Sequence, residues 1–159
     1  MLFKQASSSQ AAEAWARLLR VHAAATRVLA ARLGEDHGLT LNDYDALLHL
    51  SRAEGGYMRR VDLANRLLLT ASGVTRLLEG LEEAGLVERA SCPSDRRVTY
   101  AVITDRGRER LVAASHAHQS TVRAVFEERL SDEELAQLAD LLGRLRGAGA
   151  AADEACGPE

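Results

Sequence analysis

Between Gln10 and Leu33 the positions Trp15, Leu18, Leu19, His22, Ala25, Leu29 and Leu33 recur at steps of three and four. That spacing gathers them on one stripe of a long amphipathic helix, which Gly34 is expected to end. The segment LTLNDYDALLHLSRA (39–53) repeats the pattern at Tyr44, Leu47, Leu48 and His49 or Leu50, behind the capping residues Thr40 and Asn42. A second helix is therefore expected over about Asn42 to Arg52, stopped by Gly55 and Gly56.

Two short helices should follow almost without a break. VDLANRLLL (61–69) predicts a buried face of Val61, Leu63 or Ala64, Leu67 and Leu68. Thr70 can cap the next helix, which sets Val74, Leu77, Leu78 and Leu81 on one face and Ser72, Thr75, Arg76 and Glu79 on another before Gly85. The pattern then changes period. LVERA and VTYAVIT alternate as short strands do, and the turn-forming SCPSDRR between them makes a hairpin with a charged tip. Thr104 caps a long helix over about 105–130, and Ser131 with Glu134 forms a capping box for a last helix reaching about Arg146. The tail from 147 onward, like residues 1–9, is expected to be flexible.

Helix, tight turn, helix and hairpin in that order predict a mainly α fold: a winged helix-turn-helix over 40–104, flanked by long helices at 10–34 and 105–146. Such a module sets its second helix into the ~12 Å major groove of B-DNA. Ser72, Thr75 and Arg76 supply hydroxyls and a bidentate donor suited to phosphate oxygens and to guanine, and Gly73 permits close approach to the DNA backbone. At the hairpin tip Arg96 and Arg97 are placed to enter a narrow minor groove, with Asp95 holding their rotamers. Taken singly, these are also the residues of any solvated helix face or polar turn; their joint spacing makes the case.

Composition narrows the field. The chain has 159 residues, 47% of them hydrophobic and only 4% aromatic, which suits a helix-rich single domain with its own core. The formal net charge of −3 argues against nonspecific coating of nucleic acid, so any DNA contact has to be local. Cys92 and Cys156 suggest neither a disulfide framework nor a zinc site; with no signal peptide and no apolar run of roughly 18 to 20 residues, a soluble cytoplasmic protein is expected. No phosphate loop, nucleophile elbow or acid-base pair points to an enzyme, and no cofactor or metal is implied. His116 and His118, two apart on a helix, point about 200° apart and read as surface histidines rather than zinc ligands.

The stretch LANRLLLTASGVTRLLEGLEEAGLVERASCPSDRRVTYAVITDRGRERL resembles the MarR family, including the signature formed by Asp95, Arg97 and Thr104. The resemblance runs from roughly Gln10 to Arg146. It implies a triangular homodimer, closed by the first and the last two helices, on a pseudo-palindromic operator in double-stranded DNA. Arg97 would then be the minor-groove arginine with Asp95 as its organiser and Arg96 beside it; Ser72, Thr75 and Arg76 would face the major groove, and Thr70 a phosphate. Apolar residues such as Leu111, Val112, Val122, Val125 and Phe126, with Leu135, Leu138, Leu141, Leu142 and Leu145, independently ask for a partner subunit to cover them.

The family also implies a sensor, in which a small aromatic or phenolic ligand binds between the dimerisation helices and the winged module and releases DNA. Trp15, His22, Tyr44 and His49 are the candidate lining residues, with ordinary packing as the competing explanation. The peroxide-sensing branch of the family is disfavoured, because its reactive cysteine lies in the first helix and none is present there. Cys92, at the hairpin base, is read as an inert thiol, with a redox switch as the lesser alternative. The main functional rival is a winged-helix module that binds proteins without reading DNA.

Overall fold

The structure, a computed structural model, describes residues 9–91 and 98–147. The chain divides into two compact units, Met1–Val122 and Arg123–Glu159. The element order is α1 (Gln10–His37), α2 (Leu41–Arg52), β1 (Tyr57–Arg59), α3 (Arg60–Arg66), α4 (Ala71–Glu83), β2 (Val87–Ser91), β3 (Thr99–Ile103), α5 (Asp105–Phe126) and α6 (Asp132–Gly147).

Helix α1 runs one turn past its expected end. Gly34 lies inside the helix and its carbonyl accepts from the N–H of Gly38, which takes the left-handed conformation at φ 63° and closes the helix as its C-cap. The next cap is Thr40 rather than Asn42. Its hydroxyl accepts from the Asp43 N–H at 3.1 Å while the Asp43 carboxylate accepts from the Thr40 N–H at 2.8 Å, a reciprocal capping box.

The sheet holds one strand more than the hairpin predicted. β1 pairs antiparallel with β3, Met58 opposite Ala101, and β2 pairs with the other edge of β3, Arg89 opposite Ala101. Three residues between Gly56 and Arg60 are too few to show an alternating pattern in sequence. Residues 92–97 join β2 towards β3 and carry Cys92, Asp95, Arg96 and Arg97; those four expected residues lie outside the described residues.

The core of the first unit is apolar: Leu33 from α1, Tyr44, Ala46, Leu47 and Leu50 from α2, Leu63 and Ala64 from α3, Val74, Leu78 and Leu81 from α4, then Leu86, Val87, Ala101, Ile103, Leu111 and Ala114. Two members of the predicted α3 face do not join it. Val61 is 58% exposed, and Leu68 is 92% exposed because α3 stops at Arg66 and Leu68 turns the chain with φ 54°. The reversal frees Leu69 to donate its N–H to Ala64 and brings Thr70 into capping position.

Thr104 ties the exit of α4 to the entry of α5. Gly85, at φ 69°, follows α4, and the Leu86 N–H returns to the Leu81 carbonyl, a Schellman-type close. The Thr104 hydroxyl donates to the Gly85 carbonyl at 2.8 Å and accepts from the Gly107 N–H at 3.0 Å. Gly107 is buried so closely that a Cβ there would press into the Leu86 carbonyl. Helix α5 ends at Phe126, four residues before its expected end.

In the second unit, Ser131 and Glu134 form the expected capping box of α6: the Glu134 carboxylate accepts from the Ser131 N–H at 2.8 Å. Leu141, Leu142 and Leu145 of α6 are exposed. So are Trp15, Leu18, Leu19, Val21 and Val28 of α1 in the first unit, whose stripe is buried at Leu33 and only half-buried at Ala25 and Leu29. Among the described residues no helix is long and apolar enough to cross a membrane.

Candidate nucleic-acid interface

The site is built on α4, whose inner edge is fixed by the burial of Val74, Leu78 and Leu81. That fixation decides which side chains face outward. Ser72 and Arg76 are exposed and Thr75 is half-buried. Among the described residues Arg76 forms no ion pair, so its five N–H donors remain available.

The hydroxyls are more committed than the sequence suggests. Thr70 is the N-cap: its Oγ1 accepts from the Gly73 N–H at 3.1 Å and lies 3.1 Å from Ser72 Oγ. Thr75 donates back to the Ala71 carbonyl at 2.8 Å, which leaves outward its methyl group and an acceptor lone pair. Gly73 also has an internal reason to be small, since a Cβ there would come within 3.2 Å of Thr70 Oγ1. The structure thus brings Thr70, Ser72, Gly73, Thr75 and Arg76 together at one end of α4.

Arg60, at the start of α3, was not among the expected residues. Its Nη1 donates to Thr75 Oγ1 at 3.4 Å, which puts a second guanidinium beside the exposed face of α4. Its only sequence signal is the pair Arg59–Arg60 ahead of a short helix, indistinct in a chain so rich in arginine. Near the C-terminal end of α4, Arg89 of β2 pairs with Glu82 at 3.0 Å and links the hairpin to the helix. As a half-exposed pair it contributes at most about 1 kcal/mol.

The expected sensory residues divide into two groups. Trp15, 61% exposed, and His22, also exposed, stand on the open face of α1. Tyr44 is buried and His49 half-buried on α2. Against Tyr44 lies His118 of α5, the histidine read from sequence as a surface residue. The position 118 side of α5 is turned towards α2, whereas His116 points outward and is exposed. Tyr44 Oη and Ser115 Oγ are 3.3 Å apart.

Ionisable groups in this cluster are perturbed. Burial pushes the Asp45 carboxyl above its usual value, opposed by the nearby His118 and His49. Burial lowers His118, opposed by Asp45; burial and Arg66 lower His49. A separate cleft of about 190 Å³ is lined by residues including Asp43, Arg106 and Arg110, and none of the four expected sensory residues is on its walls. Among the described residues no group of His, Cys, Asp and Glu is arranged to hold a metal ion.

Residues 37–98 match the model of the MarR family. AbsC, a MarR family transcriptional regulator from Streptomyces coelicolor, is 34% identical, with a TM-score of 0.77 over 92% of this chain and 99% of its own. Sco3205, a MarR family transcriptional regulator from the same organism solved in complex with DNA, is 26% identical, with a TM-score of 0.83 over 98% of this chain and 97% of its own. The uncharacterized HTH-type transcriptional regulator YdgJ of Bacillus subtilis is 34% identical over 85 residues, 54% of this chain and 51% of that protein. The match to it therefore spans about half its length.

Proposed function

Because the chain belongs to the MarR family of transcriptional regulators, whose members are not enzymes, we propose that it is a homodimeric, sequence-specific DNA-binding repressor acting in the cytoplasm. The observation that carries this reading is the outward face of α4: Ser72 and Arg76 stand exposed while Val74, Leu78 and Leu81 lock the opposite side. Arg76 reads a base edge in the major groove, with Ser72 and the Thr75 methyl beside it. Thr70, with its oxygen engaged as a cap, marks where the helix meets a phosphate.

The wing completes the contact. Arg97, with Asp95 and Arg96, reaches the minor groove, on the strength of the Asp95, Arg97 and Thr104 signature. Support for the homodimer comes from the exposed apolar residues of α1 and of α6, which water would otherwise cover. Two wings related by a two-fold axis call for a pseudo-palindrome with half-sites about one helical turn apart.

A small aromatic or phenolic effector that weakens DNA binding is the finer part of the proposal. It draws on Tyr44 and His49 of α2, where Tyr44 stacks on His118 and lies beside Ser115 of α5; Trp15 and His22, exposed on α1, enter it from the family resemblance alone. Sequencing the duplexes that the purified protein retains from a random pool tests the reading. A two-fold-related motif, enriched less when an aromatic carboxylic acid is added, is the expected result. Retention without any shared motif would leave a protein-interaction module as the better description.

A further inference from the structure

We propose that the cleft between the β1–α3 junction and the start of β3 seats one phosphate of the DNA backbone, gripped by Arg59 and Arg60. The assignment rests on the DNA-binding reading above and adds to it a contact outside the recognition helix and the wing tip. The cleft has a volume of about 160 Å³ and is lined by Arg59, Arg60, Val61, Val98 and Thr99.

Charge is the first argument. Two guanidinium groups share this cleft, and among the described residues no carboxylate lines it. Among the described residues neither arginine forms an ion pair, whereas Arg17, Arg89 and Arg123 each have a glutamate partner. In a chain of net charge −3, a concave spot holding two arginines and, among the described residues, no acid selects an anion.

Size is the second. The cavity is well below the roughly 300 Å³ at which sites for drug-sized ligands begin, so it accepts a tetrahedral anionic group rather than a nucleotide or an aromatic effector. A planar guanidinium fork matches two phosphate oxygens. Arg60 directs one donor to Thr75 and keeps the others for such a ligand.

Position is the third. The bond from Arg60 to Thr75 sets the cleft beside the outward face of α4, and Val98 and Thr99 stand where the chain returns from residues 92–97. A duplex lying along α4 therefore passes the cleft, and what it presents beside its grooves is phosphate. Contact here fixes register without reading sequence.

Arg59→Gln tests the assignment more cleanly than Arg60→Gln, which also removes the bond to Thr75. The probes are a duplex selected from a random pool by the wild-type protein and a shuffled duplex of the same composition, titrated by fluorescence anisotropy. The variant is expected to bind both more weakly by the same factor. Between about 50 and 200 mM salt the wild type should lose about 3.5-fold more affinity than the variant, the response of one phosphate contact. Arg59→Lys, which keeps the charge, should retain the wild-type salt slope and guards against a folding defect in the glutamine variant. A loss confined to the selected duplex, or equal salt slopes for wild type and Arg59→Gln, overturns the phosphate seat while the DNA-binding reading stands. A wild type that retains no duplex at all overturns both.

Discussion

The imidazole of His118 on α5 is stacked on the phenol ring of Tyr44 on α2, with ring centroids 4.3 Å apart and planes inclined by 26°. Its Nδ1 is buried and has no hydrogen-bond partner among the described residues. Asp45, next to Tyr44, attracts the protonated ring, but burial outweighs that attraction and lowers the His118 pKa from 6.5.

A pH dependence of stability follows from this arrangement. Both His118 and His49, the latter facing Arg66, Arg52 and Asp45, have folded values below the unfolded 6.5. The unfolded chain then takes up protons first, so their contribution is complete above about pH 6.5 and is lost as the pH falls through the lowered folded values. Asp45, raised above 3.8, acts in the opposite sense: its contribution is present below that value and is lost as pH rises through its raised one. The melting temperature should therefore fall between about pH 7.5 and about pH 5.5, and His118→Phe, which keeps a ring on Tyr44 but cannot titrate, should flatten the fall. An unchanged slope in that variant would show that His118 is not the group responsible.

Thr104→Val is expected to loosen the junction between α4 and α5. It removes the donor to the Gly85 carbonyl and the acceptor of the Gly107 N–H while keeping the shape of the side chain. Loss of the two bonds should cost about 1–3 kcal/mol. Urea melts monitored by circular dichroism measure it, and a midpoint equal to that of the wild type would contradict the account.

Leu68→Gly should stabilise the protein. Leucine at φ 54° holds a conformation that costs an L-residue roughly 1–2 kcal/mol, and at 92% exposure its side chain contributes almost no burial in return. Glycine relieves the strain but adds freedom to the unfolded chain, which leaves a net gain of about 0.5–1 kcal/mol. A lower urea midpoint in the variant would mean that Leu68 makes packing contacts the structure lacks.

What the sequence made legible was what periodicity and caps encode. The inner face of α4, the Thr70 and Thr104 caps and the Ser131–Glu134 box all depend on residues within four positions of one another, and the fold is the mainly α winged helix expected. Long-range placement was not legible. Strand β1 forms because β3 offers it an edge, His118 turns inward because Tyr44 is there to stack on, and Arg60 meets Thr75 across fifteen positions. Leu68 misled for another reason: it completes an apolar helical pattern, yet α3 ends before reaching it.

Recognition of DNA by the outward face of α4 is tested most directly by Arg76→Ala. Motifs selected from one random pool by wild type and variant should differ at one position of each half-site, where the variant tolerates other bases, with a loss of about 1–3 kcal/mol on the wild-type motif. The same motif, bound with the same affinity by both proteins, would contradict the account.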